Sequence, residues 1–168
     1  MKNETAVVYD ALSVSASARS EEVRTFSAMC DARIALHGYK TPSRVISNRA
    51  ALEDYCRELI GSEAMESFRV ICIDAQCRLI GESEISSGSL SEVAAYPRKI
   101  VTIALLMNAH SVFLTHNHPG GTCAPSREDI SSTVMIKKLL SQLDIHVLDH
   151  CIVTPDGGSY SMVQHGDI

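Results

Sequence analysis

Two histidines stand one residue apart in the stretch "THNHPGGTCAPSREDI". The residues before them, "HSVFLTH", form a short apolar run that is typical of a central strand covered on both faces. Because side chains alternate along a strand, His116 and His118 are expected on one face, where two imidazoles can share one metal ion. Asp129 lies in the first turn of the helix that follows, so the loop could return its carboxylate to the strand end. Two nitrogens and one oxygen, with water in a fourth position, are the layout of a catalytic zinc.

Each part of this stretch also has a purely structural explanation. Ser126 and Asp129 have the spacing of a capping box, which is common at the start of helices. Gly120 and Gly121 after a proline form an ordinary turn. An isolated histidine usually lies on the surface, and this is the expectation for four others: His37, His110, His146 and His165. The combination of both histidines, the glycine turn and the capping serine and aspartate within one loop favours the metal site.

Hydrolysis at such a site also needs a base, because the proton of an attacking water must be accepted and passed to the leaving group. A carboxylate near the strand end suits this task. Four glutamates are candidates: Glu63, Glu66, Glu82 and Glu84. Glu66 stands two residues before Phe68, at the start of the predicted strand "FRVICID", whereas Glu82 and Glu84 have the spacing of solvated strand residues.

Helical and strand patterns alternate along the last two-thirds of the chain, which predicts an α/β fold with a mixed β-sheet flanked by helices. "NRAALEDYCRELIG" is predicted as a helix capped by Asn48 and closed by Gly61. "FRVICID" and "CRLIGESEIS" predict a hairpin. "YPRKIVTIALLMNA" predicts a helix with Pro97 at its first position. "IHVLDHCIVT", the turn "PDGGS" and "YSMV" predict two further strands.

The helix after the histidine loop, "SREDISSTVMIKKLLSQL", is expected to bury an apolar face. This face would comprise Ile130, Val134, Ile136, Leu139 and Leu140. Upstream, "SEEVRTFSAMCDARIALHG" predicts a helix that begins after Ser20 and ends at Gly38, and Pro42 marks a linker. The predicted domains are therefore a short N-terminal helical extension over 1–45 and an α/β domain over 46–168.

Composition limits the classes of protein. The chain has 168 residues, of which 45 % are hydrophobic, so a packed core is expected. Its six cysteines contain no C-x-x-C pair, which favours free thiols in a reducing compartment. No apolar run could span a bilayer and acidic residues interrupt any leader-like segment, so a cytoplasmic location is predicted. The net charge of −5 gives no electrostatic footprint for nucleic acid.

The histidine loop resembles a known family signature. H-x-H followed by S-x-x-D is similar to the JAMM motif of MPN+ metalloproteases, and "HNHPGG…PSREDI" resembles the RadC branch of that family. Three longer segments resemble RadC proteins in the same order: "FRVICIDAQCRLIGESEISSGSL", "YPRKIVTIALLMNAHSVFLTHNHP" and "VLDHCIVTPDGGSYSM". Gly120 departs from the branch, which usually has serine there. Residues 1–45 show no helix-hairpin-helix motif, which many RadC chains carry and which suggests DNA contact.

The resemblance implies a JAMM/MPN-like sandwich, of the cytidine-deaminase-like type, with Zn²⁺ at the end of the central strand. It implies that His116, His118 and Asp129 bind the metal and that Ser126 supports the oxyanion. It further implies hydrolysis of a peptide or isopeptide bond in a peptide or protein substrate, and it places the proton-accepting glutamate where Glu66 stands.

Three further residues are expected to have lesser roles. Asp149 and His150 match a recurring "DH" of the branch, and we expect a structural hydrogen bond or support of a ligand. Cys123, in the metal loop, is expected to be a small loop residue, since two histidines and an aspartate already complete the site.

Other functions remain to be weighed against hydrolysis. The main alternative is a non-enzymatic metal-binding scaffold module with a part in DNA repair or mobile-element functions, and a carboxylate facing the metal would discriminate the two. Zinc nucleobase deaminases use H-x-E with P-C-x-x-C, which is absent here. Metallo-β-lactamase-like nucleases need H-x-H-x-D-H, which "HNHPGG" does not match. Nucleic acid is a weakly supported partner, and the sequence leaves the oligomeric state open.

Overall fold

A computed structural model describes residues 44–88 and 96–168 of the chain, without the side chain of Tyr96. These residues belong to one compact unit that spans 39–168. The helix predicted after Ser20, the linker at Pro42 and Cys30 lie outside the described residues, as does part of the loop "SSGSL".

Four helices and five strands make up the described residues. The helices are α1 (Arg49–Ile60), α2 (Tyr96–Leu106), α3 (Arg127–Ser141) and α4 (Met162–His165). The strands are β1 (Ser67–Ile73), β2 (Leu79–Ser87), β3 (Ser111–Asn117), β4 (His146–Val153) and β5 (Ser159–Ser161).

The five strands form one mixed sheet in the order β2-β1-β3-β4-β5. The predicted hairpin of β1 and β2 is confirmed, and β1 also pairs antiparallel with β3. β3 and β4 run parallel, joined through α3, so that their carboxyl ends meet at one edge of the sheet. β3 is central and all seven of its residues are buried, as the continuous apolar run predicted.

Helices cover both faces of the sheet, which confirms the predicted α/β architecture. On one face, Val70 and Leu114 of the sheet pack in a cluster with Ile100 of α2 and Ile136 of α3. On the other face, residues of β1, β3 and β4 pack with three buried residues of α1: Leu52, Cys56 and Ile60. Side-chain alternation therefore sends successive residues of β3 toward α2 and α3 or toward α1.

The ends of α1 are set by the residues that the sequence indicated. The Asn48 side chain accepts a hydrogen bond from the Ala51 N–H at 2.9 Å, which satisfies one of the free amides of the first turn. At the other end, the Gly61 N–H donates to the Arg57 carbonyl. A Cβ at Gly61 would lie 2.6 Å from that carbonyl oxygen, so the close approach requires glycine.

Other predicted boundaries and faces are wrong. The last strand ends at Ser161, because the Ser161 side chain accepts from the Gln164 N–H and caps the short helix α4, where strand had been predicted to continue. In α3 the buried face comprises Thr133, Ile136 and Leu140, whereas Val134 and Leu139 are exposed by 47 % and 37 %. The sequence pattern counted apolar side chains and therefore overlooked a buried threonine.

The start and end of α2 also differ from prediction. Pro97 is its second residue, and the helix ends at Leu106. Asn108 then adopts a left-handed conformation with φ of 49°, which an α-helix cannot continue.

Two further observations concern thiols and membranes. The five cysteines in the described residues are free thiols, and burial raises the pKa of Cys72 to about 12. Within residues 44–88 and 96–168, no helix has the length and apolar character needed to cross a bilayer.

Candidate metal centre

The two histidines of the H-x-H sequence lie at the carboxyl end of the central strand. His116 is the sixth residue of β3, and its backbone pairs with Phe68 of β1. His118 continues the ladder one step beyond the strand, since its N–H donates to the Val153 carbonyl at 2.9 Å. The Nε2 atoms of the two imidazoles are 2.9 Å apart, as the alternation of side chains along β3 requires.

A backbone carbonyl determines which nitrogen of His118 carries the proton. The Nδ1 atom of His118 lies 2.7 Å from the carbonyl oxygen of Thr122, which can only accept a hydrogen bond. The chain returns to this point through a turn in which Gly121 has φ of 83° and donates its N–H to the His118 carbonyl. Because Nδ1 is the donor, Nε2 of neutral His118 keeps its lone pair.

A buried hydrogen-bond chain imposes the same tautomer on His116. Its Nδ1 contacts Nε2 of His150 at 2.7 Å, and Nδ1 of His150 contacts the Thr133 hydroxyl at 2.6 Å. The same hydroxyl donates to the carbonyl of Asp129 at 2.6 Å, so it must accept from Nδ1 of His150. Nε2 of His150 is therefore an acceptor and Nδ1 of His116 a donor. The Nε2 lone pair of His116 remains free, as expected for a metal ligand whose other nitrogen is anchored.

Burial keeps these imidazoles neutral. His116 is 2 % exposed, and loss of hydration lowers its pKa to about 4, although the nearby Asp129 carboxylate acts in the opposite direction. Burial also lowers the pKa of His150 well below its usual range, and the neighbouring His116 and His118 add to this effect. Neutral imidazole is the form that binds a metal ion.

Two lone pairs that face each other at 2.9 Å repel unless a cation or a proton lies between them. A cation would relieve this repulsion, and tetrahedral zinc with bonds of about 2.0–2.1 Å would separate the two nitrogens by about 3.4 Å. The rings would then need to open by about 0.5 Å. The donor set of the chain therefore fits a metal ion.

Two carboxylates approach the imidazole pair from different elements. Glu66 precedes β1, and its carboxylate forms a group with His116 and His118 in which all ligand atoms lie within 4.8 Å of one another. The Asp129 carboxylate, in the first turn of α3, lies 3.7 Å from Nε2 of His116 and 4.0 Å from Nε2 of His118. The structure therefore brings together the three residues predicted as ligands and the glutamate favoured as base.

The protein environment of Glu66 favours the protonated form of its carboxyl, compared with a fully hydrated glutamate. Burial raises the pKa of this carboxyl, and the charge of Asp129 raises it further, while His118 lowers it. The backbone of Glu66 is held at the sheet edge, since the Gly88 N–H donates to its carbonyl at 2.9 Å. The carboxyl is thus placed at the histidine pair with a proton affinity above that of an ordinary glutamate.

The other three candidate bases surround Arg69. Its guanidinium lies 3.2 Å from Glu63, 3.6 Å from Glu82 and 3.3 Å from Glu84. β-strand alternation explains the difference, because Arg69 lies on the same face of β1 as Ile71, which packs against α1. These glutamates neutralise a cation, and the structure does not bring them to the histidines.

Ser126 is linked to the histidine pair through Asp129, which it contacts directly. Its hydroxyl donates to Oδ2 of Asp129 at 2.6 Å and accepts from the Asp129 N–H at 3.0 Å. The Ser126 N–H also donates to Oδ2, at 2.8 Å, so the capping box is complete. The structure thus gives the S-x-x-D spacing a further consequence, because the cap fixes the carboxylate that faces the histidines.

The adjacent Asp149 and His150 have different roles. Asp149 accepts from the Ser161 hydroxyl at 2.6 Å and from the N–H groups of His150 and Val163, so it ties β4 to α4. His150 points to the other face and contacts His116. Sequence reasoning missed Thr133 entirely, although its position four residues after Asp129 places both on one side of α3.

At the carboxyl end of the central strand of this α/β domain, a buried imidazole and a partly exposed one, whose Nε2 atoms face each other, lie beside two carboxylates, and together these groups could hold a metal ion. The chain belongs to the RadC family, since the profile of the RadC-like JAB domain matches residues 46–167. The family resemblance noted in the sequence is thereby confirmed, and the mixed sheet flanked by helices is consistent with a JAB/MPN-like fold.

Curated relatives agree with this family. The chain is 43 % identical over 122 residues to a UPF0758 protein of Variovorax paradoxus, which covers 73 % of the chain and 54 % of that relative. It is 41 % identical over 123 residues to a UPF0758 protein of Polaromonas sp., covering 73 % and 55 %. A UPF0758 protein of Aromatoleum aromaticum is 39 % identical over 135 residues, covering 80 % and 60 %. The chain thus spans about half the length of the curated relatives it matches.

Proposed function

We propose that this protein is a zinc-dependent metallohydrolase that cleaves a peptide or isopeptide bond. The observation that carries the proposal is the convergence of two Nε2 lone pairs, 2.9 Å apart, with the carboxylate of Glu66 beside them. The pair of imidazoles provides for a metal, and the adjacent carboxylate provides the base that a scaffold would not need.

Three side chains of this domain would hold the metal: His116, His118 and Asp129. Bound zinc polarises a carbonyl and lowers the pKa of water to about 7. Hydrogen bonds from the chain hold every proposed ligand in place before the metal arrives, through Thr122 for His118, His150 for His116, and Ser126 for Asp129. Such anchoring reduces the free energy needed to order the ligands.

Glu66 would accept the proton of the attacking water and pass it to the leaving amine. A carboxylate of low pKa is a weak base and takes up few protons near neutral pH, so the raised pKa of the Glu66 carboxyl suits this transfer. An amide or isopeptide bond requires this second transfer, because an unprotonated amine anion is a poor leaving group.

Ser126 would contribute in two ways. Its hydroxyl orients the Asp129 carboxylate, and its exposed position at the amino end of α3 leaves it accessible to a substrate oxygen. We propose support of the oxyanion as its second role: the hydroxyl has one proton, so it would turn from Asp129 to the oxyanion while the Ser126 N–H continues to hold the carboxylate at 2.8 Å.

Three variants test these assignments together on a panel of peptides and ubiquitin-like conjugates. Glu66→Gln should retain zinc and lose hydrolysis by about two or more decades, the scale of general acid–base catalysis. Asp129→Asn should lose metal affinity itself, because a charged ligand is removed. Ser126→Ala should retain zinc and lose less activity than Glu66→Gln, with about 1 kcal/mol less helix stability.

The matched control is Glu84→Gln, since Glu84 is a strand carboxylate that pairs with Arg69 rather than with the histidines. It should keep both zinc and activity. Full activity of Glu66→Gln on a substrate that the wild-type protein cleaves would remove Glu66 from the mechanism. If Glu66→Gln instead loses its zinc, Glu66 is a ligand and another group must be the base.

The scaffold alternative predicts a different pattern. A scaffold would bind zinc, cleave none of the panel and show no effect of Glu66→Gln beyond metal content. With a net charge of −5, we expect little affinity for duplex DNA at physiological salt, which a gel-shift titration measures. Tight and salt-resistant binding would favour the scaffold in DNA transactions.

A further inference from the structure

The residue between the two metal-binding histidines, Asn117, points away from them. Alternation along β3 sends its side chain to the opposite face of the sheet, and it is fully buried. Buried amides occur where their hydrogen bonds are satisfied, so the contacts of this side chain show what it holds.

The Asn117 side chain makes three hydrogen bonds to the backbone of the segment before β1. Its Oδ1 accepts from the Ser67 N–H at 2.7 Å. Its Nδ2 donates to the carbonyls of Glu63 and Met65 at 3.0 and 3.1 Å. Both donors and the acceptor of one amide are thus used on a single short stretch of chain.

These contacts enclose Glu66. One partner, Met65, directly precedes it, and another, Ser67, directly follows it. Residues 62–66 belong to no helix or strand that would otherwise fix their position. The Gly88 N–H after β2 and the Arg69 guanidinium of β1 also contact this segment. The contact that joins it to β3, the strand of the histidines, is the Asn117 amide.

We infer that Asn117 is a positioning residue that sets the location of Glu66 relative to the histidine pair. One side chain on β3 lies between His116 and His118 in sequence and holds the backbone on both sides of Glu66 in space. Any displacement of β3 is therefore expected to move the Glu66 carboxylate with it. This inference rests on the proposed role of Glu66 as base. A misplacement of about 1 Å in such a group can cost about a hundredfold in rate.

Asn117→Ala tests the inference by two independent measurements. Hydrogen exchange of the metal-free protein, followed by mass spectrometry, should become at least about tenfold faster in residues 63–67, with β3 remaining protected. In the zinc-loaded protein, kcat should fall by about ten- to a hundredfold while zinc content and KM stay unchanged. Equal exchange in residues 63–67 of variant and wild type would overturn the inference.

Thr115→Val is the matched control. Thr115 lies two residues earlier on the same face of β3, is fully buried and donates its hydroxyl to the Cys151 carbonyl at 2.7 Å. Its loss removes a comparable buried hydrogen bond without touching residues 63–67. It should lower the unfolding free energy but leave exchange in that segment and kcat unchanged; a matching loss of kcat would reduce Asn117 to a general stabilising residue.

A double-mutant cycle shows whether Asn117 acts through Glu66. In a Glu66→Gln background, Asn117→Ala should have no further effect on kcat, whereas a residue that acts independently would give additive losses. If Asn117→Ala does not fold, Asn117→Ser provides a smaller perturbation with the same expected direction. If the wild-type protein cleaves nothing, the proposed hydrolysis fails, and the exchange measurement still decides whether Asn117 holds the segment.

Discussion

Two pairs of histidines bridge the same two parallel strands, one pair at each end. At the amino ends of β3 and β4, His110 and His146 lie with ring centroids 5.6 Å apart, and both are exposed. Toward the carboxyl ends, His116 of β3 and His150, the fifth residue of β4, lie with centroids 4.8 Å apart, and both are at most 2 % exposed. The strands therefore bring histidines together twice, in opposite surroundings.

The difference shows why one end of the two strands, and not the other, forms a candidate metal site. His110 contacts the hydroxyl of its neighbour Ser111 at 2.8 Å, a local contact at the surface. His116 instead heads a buried chain through His150 to Thr133, which sets its tautomer and leaves Nε2 toward His118. Proximity of two imidazoles and an Nδ1 with a hydrogen-bond partner are common to both ends. The Ser111 hydroxyl can donate or accept, so burial and a partner chain that fixes the tautomer distinguish the carboxyl end.

The largest expected effect is on metal content. His116→Ala with His118→Ala should reduce bound zinc to background, because both nitrogens of the facing pair are removed. His110→Ala with His146→Ala, the same change at the other end of the strands, should keep full zinc. Elemental analysis of the purified proteins measures both, and full zinc in the first variant would contradict the site.

The pH dependence of stability should also separate the two ends. In the unfolded chain His116 and His150 protonate near pH 6.5, whereas in the folded chain burial opposes this and the pKa of His116 falls to about 4. The unfolded state therefore binds more protons below pH 6.5. The free energy of unfolding of the metal-free protein should decrease as pH falls from 6.5, by about 1.4 kcal/mol per unit for each fully shifted histidine.

Urea unfolding between pH 7 and pH 5 measures this slope. Replacing exposed His110 and His146 together by glutamine should leave the slope in place, while His150→Gln should reduce it. A stability that does not change between pH 6.5 and 5 would show that the buried imidazoles take up protons without unfolding.

A smaller effect is expected when the anchor of the buried chain is removed. Thr133→Val keeps the shape of the side chain but removes the hydroxyl that accepts from His150, so the tautomer of His116 is no longer imposed. Zinc affinity should weaken by about 10- to 100-fold, the usual effect of losing such a partner. Thr102→Val is the control, because the Thr102 hydroxyl donates to the Arg98 carbonyl in α2. Competition with a chelator measures the zinc affinity of both variants. Equal affinities would contradict the proposed effect of the His116–His150–Thr133 hydrogen bonds on zinc binding.

The smallest effect is expected at the amino end. Ser111→Ala removes the hydroxyl that contacts His110, which is the local counterpart of the Thr133 contact. The unfolding free energy should change by about 0.5–1.5 kcal/mol, the net contribution of one hydrogen bond, and zinc affinity should not change. A change in zinc affinity as large as that of Thr133→Val would mean that the two ends are coupled.

Local patterns of the sequence were sufficient for the elements that carry the site. The apolar run before His116 predicted a buried central strand, and the caps Asn48 and Ser126 marked where helices begin. These predictions succeed because they depend on period and on neighbours a few residues apart. The strand pattern was wrong at Met162, because Ser161 caps a short helix that begins there.

The sequence by itself therefore determined the candidate metal-binding loop, since H-x-H at a strand end and S-x-x-D at a helix start are local arrangements. Tertiary structure decided which glutamate joins it. The pairing of β1 with β3 brings Glu66 to the histidines, whereas Arg69, on the other face of β1, holds the remaining candidate glutamates. It also decided the roles of Thr133, His150 and Asn117. Asn117 lies 50 residues from the Ser67 amide that it accepts from, and only the packed sheet brings partners so distant in sequence to hydrogen-bonding distance.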